Sequence, residues 1–190
     1  MDTLYDLQGN RLYLTKGERE AFLKAAAKAP RDVRSFCEVL HFTGCRISEA
    51  LDLSPKQIDL ENKAIVFETL KKRREGVFRA VPVPNRVLDT LDLVHGLREQ
   101  KTRRNERLWP WSRTTAWRKI KGVMDDAGIK PGAHASPKGL RHGYGVAGIS
   151  AGVPLNMLSK WMGHSKIETT AIYANALGEE QRQIAERMWM

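Results

Sequence analysis

The apolar residues of this chain recur at helical spacing almost from end to end, and that period breaks once, across residues 57–84. The interruption, "QIDLENKAIVFETL" and then "VFRAVPVP", has the shorter strand period, with an Glu-Asn-Lys turn at 61–63 and a basic connection "KKRREG". A chain patterned in this way folds as a mainly α protein with a small antiparallel β-sheet, an α+β class. Cap signals frame the helices on either side. Thr15 with Glu18 forms a capping box before "GEREAFLKAAAKA", and "DVRSFCEVLHF" ends at Thr43-Gly44. "RISEALDL" is a short helix broken at Ser54-Pro55, and "NRVLDTLDLVHGLRE" follows the sheet. Ser112 caps a helix that stops at Gly128, and Ser136-Pro137 opens "PKGLRHGYGVAGISAG". "VPLNMLSKWMG" is one more helix, Ser165 with Glu168 reads as a capping box ahead of Tyr173, and "GEEQRQIAERMWM" closes the chain.

Charge narrows the partner. Lysine and arginine number 32 against 22 acidic residues, a net +10, which favours a polyanion and most often nucleic acid. Aromatic residues are sparse and do not alternate with basic ones along strands, which counts against a stacking platform for single strands. No run of about eighteen apolar residues exists to span a membrane. The N-terminus lacks the basic and apolar regions of a signal peptide. Cys37 and Cys45 lack zinc-ligand spacing and read as buried thiols of a cytoplasmic protein.

Two stretches concentrate cations where helices begin. Lys138 and Arg141, three apart, share the first turns of one helix, where the helix terminus itself attracts anions. That helix carries glycine at 139, 143, 145 and 148, each costing about 0.5–1 kcal/mol relative to alanine. Close backbone packing is the compensation expected. Arg46 opens "RISEAL", with Glu49 three residues on to orient it. Alone, such a pair is an ordinary surface ion pair. His164 alone would be a capping residue, and Tyr173 a half-buried tyrosine.

Together, "HFTGCRISEALDLSPKQID", "PKGLRHGYGV" and "LSKWMGHSKIETTAIYA" resemble the catalytic domain of the tyrosine recombinases, the phage integrase family, over roughly residues 12–180. The resemblance implies Arg46 with Glu49 as the first arginine motif, Arg141 with His142 as the second, Gly163-His164 before the nucleophile, and Tyr173 as the nucleophile. A lysine of the β-hairpin loop is also implied: Lys71 matches best and Lys72 is close behind, while Lys72, Arg73 and Arg74 otherwise contact DNA. The family's usual histidine three residues before the second arginine is Lys138 here. An ordinary lysine is protonated at neutral pH, so Lys138 binds phosphate or shuttles a proton, and a general-base role requires desolvation.

The chemistry so implied is attack of a tyrosine on a DNA phosphodiester, leaving a 3′-phosphotyrosyl link and a free 5′-hydroxyl. A phenol of pKa near 10 is only about 0.1% ionised at pH 7, a deficit of roughly 4 kcal/mol. Two arginines gripping the non-bridging oxygens answer this and stabilise the charge gathering on phosphorus. The hairpin lysine protonates the departing 5′-oxygen. No cofactor or metal is required. The alternatives are a type IB topoisomerase-like nicking and resealing enzyme, and a catalytically weak DNA-binding regulator. Tyr144 is a rival phenol read as packing; Tyr5 and Tyr13 belong to an N-terminal arm, and Trp109 and Trp111 anchor a loop.

Residues 1–177 are expected to form the catalytic domain with its short arm, in the compact form that lacks the N-terminal core-binding domain. Residues 178–190, with Ile184, Met188 and Trp189 at helical spacing, form a C-terminal helix expected to dock on a neighbouring protomer. The partners implied are double-stranded DNA, further copies of the chain as dimer to tetramer, and accessory DNA-bending proteins. A bacterial, phage or plasmid origin follows from the same resemblance.

Overall fold

A computed structural model describes residues 3–68, 77–99, 104–176 and 179–189, without the side chains of 179 and 180. Helix α1 (Lys16–Ala26) starts at the Thr15–Glu18 capping box and α2 (Arg31–Thr43) ends at Gly44 in the left-handed region, as the sequence pattern predicts. A short α3 (Ile47–Leu51) leads into the sheet β1 (Ile58–Asp59), β2 (Ala64–Glu68) and β3 (Phe78–Pro82). The strands pair antiparallel in the order β1-β2-β3, with Phe67 opposite Arg79. The remaining helices are α4 (Asn85–His95), α5 (Arg113–Asp126), α6 (Pro137–Ser150), α7 (Leu155–Met162), α8 (Glu168–Ala171) and α9 (Glu179–Glu186). No helix among the described residues is long and apolar enough to cross a membrane.

Helix α2 is the centre of the main core. Val33, Phe36, Cys37, Val39 and Leu40 are all buried, and α1, α4 and α6 pack around them. Each of the valine, phenylalanine and leucine side chains contributes about 1.5–3 kcal/mol by leaving water. Trp109 is fully buried, donates to the Asp32 carbonyl, and lies edge-on to Phe36, so it anchors the loop before α5. Cys37 and Cys45 are buried free thiols, and burial pushes both up to about 12.

Helix α6 stands between this core and a second apolar cluster of Leu4, Tyr13, Val146, Leu158, Met162, Tyr173 and Ala176. Its glycines explain how. A Cβ at Gly139 would lie 1.7 Å from the His134 carbonyl oxygen, and one at Gly143 would meet the Leu14 carbonyl at 2.9 Å. At Gly145 the clash is with the Tyr173 ring, and at Gly148 with Leu158. The helix is glycine-rich because backbone and side chains press on it from both sides. The N-terminal arm joins the second cluster through Leu4 and Tyr13, and Leu14 donates its N–H to the Gly139 carbonyl.

Two local expectations are corrected. The helix before Tyr173 takes Ile167 as its N-cap, not Ser165: the N–H groups of Thr170 and Ala171 both donate to the Ile167 carbonyl, and the Ile167 side chain makes no capping hydrogen bond. Tyr173 itself lies on the following 3₁₀ turn, Ile172–Asn175. At the C-terminus the helix ends at Glu186, so Met188 and Trp189 fall on the turns beyond it, both exposed, while α9 packs on α6.

Candidate active site

The turn between α2 and α3 does two jobs. Gly44 adopts φ +62°, and a Cβ there would lie 2.3 Å from the Tyr144 ring. That reversal aims the Gly44 carbonyl inward and brings Arg46 to the start of α3. The Arg46 backbone N–H donates to Glu49 Oε2 at 2.8 Å, and its guanidinium lies 3.4 Å from Glu49 Oε1. The guanidinium is half exposed, facing the cleft.

Arg141 sits one turn into α6, buried, and its fork is held from three directions. Nη1 donates to the Gly44 carbonyl at 2.5 Å; Nη2 donates to the Met162 carbonyl at 2.8 Å and to His164 Nε2 at 3.0 Å. Burial, helped by the nearby Arg46 charge, brings its pKa down to about 10, so it is a cation at neutral pH. Because arginine can only donate, His164 Nε2 accepts. The His164 proton is then on Nδ1, which donates to Thr170 Oγ1 at 2.7 Å. Gly163, at φ +68°, turns the chain out of α7 and delivers His164 to this place.

Tyr173 is almost fully buried. Its hydroxyl lies 3.2 Å from His142 Nδ1, and its ring stacks near that of His164 with centroids 6.4 Å apart. Lys138 is exposed in the first turn of α6. Arg46, Lys138, Arg141, His142, His164 and Tyr173 thus line one open cleft of about 370 Å³. Lys71, Lys72, Arg73 and Arg74 lie outside the described residues. Tyr144 packs against Gly44, and burial pushes its hydroxyl up to about 12.

Sequence reasoning missed three residues. Arg113 and Trp117, one turn apart on α5, form the exposed far wall of the cleft, and nothing in their spacing set them apart. Arg79 was missed despite a signal. Alternation along β3 buries Arg79 and Val81, so a charge occupies a core-facing position. Its fork donates to both Glu49 oxygens, at 3.1 and 2.9 Å, and its Nε donates to the Trp161 carbonyl at 2.8 Å. Burial raises the Glu49 pKa, but the hydrogen bonds and charge of Arg79 outweigh it and leave this carboxyl below its ordinary value. One ion pair therefore ties the sheet to Arg46 on one side and to the Gly163-His164 corner on the other.

Known proteins share both the pattern and the fold. The chain is 30% identical over 165 residues to the tyrosine recombinase XerD of Mycobacterium leprae, covering 80% of this chain and 50% of that protein. It is 25% identical to the tyrosine recombinase XerA of Pyrococcus furiosus, covering 92% and 60%. The chain thus spans about half to three fifths of these relatives' length. Among solved structures, XerA recombinase superposes with a TM-score of 0.79 at 22% identity, over 93% of this chain and 64% of that one. The catalytic domain of bacteriophage HP1 integrase superposes at 0.63 and 21% identity, over 92% and 93%. XerH recombinase bound to its difH substrate gives 0.74 at 20% identity, over 98% and 60%. The sequence profile of the phage integrase family matches residues 13–180, nearly the whole length over which the elements above are laid out. By descent as well as by fold, this chain belongs to the phage integrase family.

Proposed function

We propose that this chain cleaves and rejoins double-stranded DNA as a site-specific recombinase, with Tyr173 as nucleophile. The observation that carries the reading is the convergence of Arg46, Lys138, Arg141, His164 and Tyr173, from three separate stretches, on one cleft. Arg141, pinned by two carbonyls, is a preorganised donor for a non-bridging phosphate oxygen, and the half-exposed Arg46 closes on the other. A phosphate competes with His164 for the Nη2 protons of Arg141, and a protonated His164 adds a donor of its own. Lys138 supplies a cation at the helix terminus. Lys71, or Lys72, protonates the leaving 5′-oxygen, and Arg73 and Arg74 hold neighbouring phosphates. Attack forms the Tyr173 Oη–P bond and breaks P–O5′; a 5′-hydroxyl of another strand reverses the process on a new partner.

Residues 1–177 act as the catalytic domain and 178–190 as a docking segment for a second copy, with the exposed Met188 and Trp189 beyond its helix forming the contact. The XerH structure, described as bound to a difH substrate, supports DNA as the partner. We infer that it meets DNA in the cytoplasm, as an oligomer of two to four copies with accessory DNA-bending proteins.

The test is a duplex carrying a nick beside the cleavage point, which lets the short 5′-hydroxyl fragment diffuse away. A recombinase accumulates as a covalent protein–DNA adduct, and Tyr173→Phe does not. A protein that never forms the adduct is a binder only; one that relaxes supercoils without exchanging strands is a topoisomerase.

A further inference from the structure

We propose that His142 is the general base that removes the Tyr173 proton, a task the exposed Lys138 does not perform. The inference rests on the recombinase reading, in which Tyr173 attacks phosphorus. Its basis is geometric: His142 Nδ1 lies 3.2 Å from the Tyr173 oxygen, within reach for direct proton transfer. Both groups are buried, 4% and 1% exposed, so bulk water does not mediate between them. Lys138 stands on the same helix but at its exposed first turn. It lines the same cleft as Arg46 and Arg141, where a cation at a helix terminus can bind phosphate.

Position along α6 makes the assignment specific. Arg141 and His142 are adjacent, and successive residues of a helix point about 100° apart. One side chain therefore grips the phosphate while the next reaches the phenol, from a single rigid segment. Gly145, one turn further, has no Cβ and lets the Tyr173 ring lie against the helix, within range of His142.

The step balances within the chain and the DNA. The Tyr173 O–H bond breaks and its proton passes to His142 Nδ1 as the Oη–P bond forms. The P–O5′ electron pair leaves on the 5′-oxygen, which takes a proton from the hairpin lysine. On rejoining, the attacking 5′-hydroxyl gives its proton back to the now neutral hairpin lysine as P–O5′ forms and P–Oη breaks, and the His142 imidazolium returns its proton to the phenolate oxygen.

Three measurements on the full chain decide it. ¹⁵N-histidine NMR of the free protein should show His142 as the Nε2–H tautomer, with an Nδ1 resonance displaced by Tyr173→Phe. An Nδ1–H tautomer overturns the proposal whether or not the protein cleaves DNA. On the nicked duplex, His142→Gln should lower the adduct-forming rate by about 10²–10⁴-fold with DNA affinity within about threefold of native, a fixed comparison that loss of folding would not give. Replacing Tyr173 by a fluorinated tyrosine of lower pKa should restore most of that loss in His142→Gln, because such a phenol releases its proton to solvent near neutral pH and depends less on a protein base. If the fluorinated phenol rescues Lys138→Met instead, and not His142→Gln, Lys138 is the base and the proposal fails. Absence of any adduct from the native chain would refute the recombinase reading itself, and the NMR result would still decide the hydrogen bond.

Discussion

The guanidinium of Arg79 grips both carboxylate oxygens of Glu49 across 30 positions of sequence, and its third nitrogen holds the Trp161 carbonyl. Neither residue reaches the cleft with a free charge, yet the pair sets where Arg46 and His164 stand. Removing one partner of a buried pair leaves the other charge uncompensated, at a cost of about 3–5 kcal/mol. Arg79→Met should therefore lower the melting temperature by roughly 6–20 °C, at 2–4 °C per kcal/mol. Arg79→Lys, which keeps the charge but not the fork, should lose less stability while still slowing cleavage about tenfold. Unchanged cleavage by Arg79→Lys at temperatures well below its melting point would show the pair to be structural only.

Arg46 and Arg141 should separate stability from chemistry. Arg46 is half exposed, so Arg46→Ala changes stability by no more than about 0.5 kcal/mol but slows adduct formation about 10²–10³-fold. Arg141→Ala also strips the Gly44 and Met162 carbonyls of their donor, costing about 1–3 kcal/mol. Thermal melts beside single-turnover cleavage would read both; equal destabilisation by the two variants would contradict the burial difference.

Gly145 carries a prediction that helix propensity alone reverses. Alanine would favour the helix by about 0.5–1 kcal/mol, yet its Cβ would sit 2.5 Å from carbons of the Tyr173 ring. The ring must move. Gly145→Ala should keep its far-UV circular dichroism and DNA affinity while losing at least about tenfold in adduct formation, since small displacements of a reacting group are costly.

Acid should weaken the fold through two histidines. Burial, with repulsion from Arg19 and Arg86, brings His41 down to about 4; burial brings His95 to about 4 against the opposing pull of Asp32. Unfolded histidines titrate near 6.5, so between pH 6.5 and 4 the unfolded chain binds more protons than the folded one. Stability therefore falls as pH is lowered through that window and levels off below it for these groups. His41 Nδ1 is buried without a hydrogen-bond partner among the described residues, so His41→Leu should flatten the slope of melting temperature against pH between 7 and 5. An unaltered slope would remove His41 from the account.

The C-terminal segment should separate binding from assembly. Met188 and Trp189 are 83% and 66% exposed, apolar surface that a neighbouring copy would cover. Deleting residues 178–190 should spare DNA binding and abolish pairing of two sites, as read by gel mobility of the synaptic complex. Full recombination by the shortened chain would refute the docking role.

What the sequence determined by itself was local. The Thr15–Glu18 box, the Ser112 and Ser136 caps and the Gly44 stop depend on hydrogen bonds spanning three or four residues, and each is where the pattern puts it. The residue types of the cleft were legible through resemblance: Arg46, Arg141, His164 and Tyr173 stand in short local motifs that match those of the phage integrase family. The tertiary structure decided what couples distant segments. His142 meets Tyr173 across 31 positions, and the cap moved from Ser165 to Ile167 while His164 bonded to both Arg141 and Thr170. Periodicity reports which face of an element is buried; only packing determines which buried group from another segment lies against it.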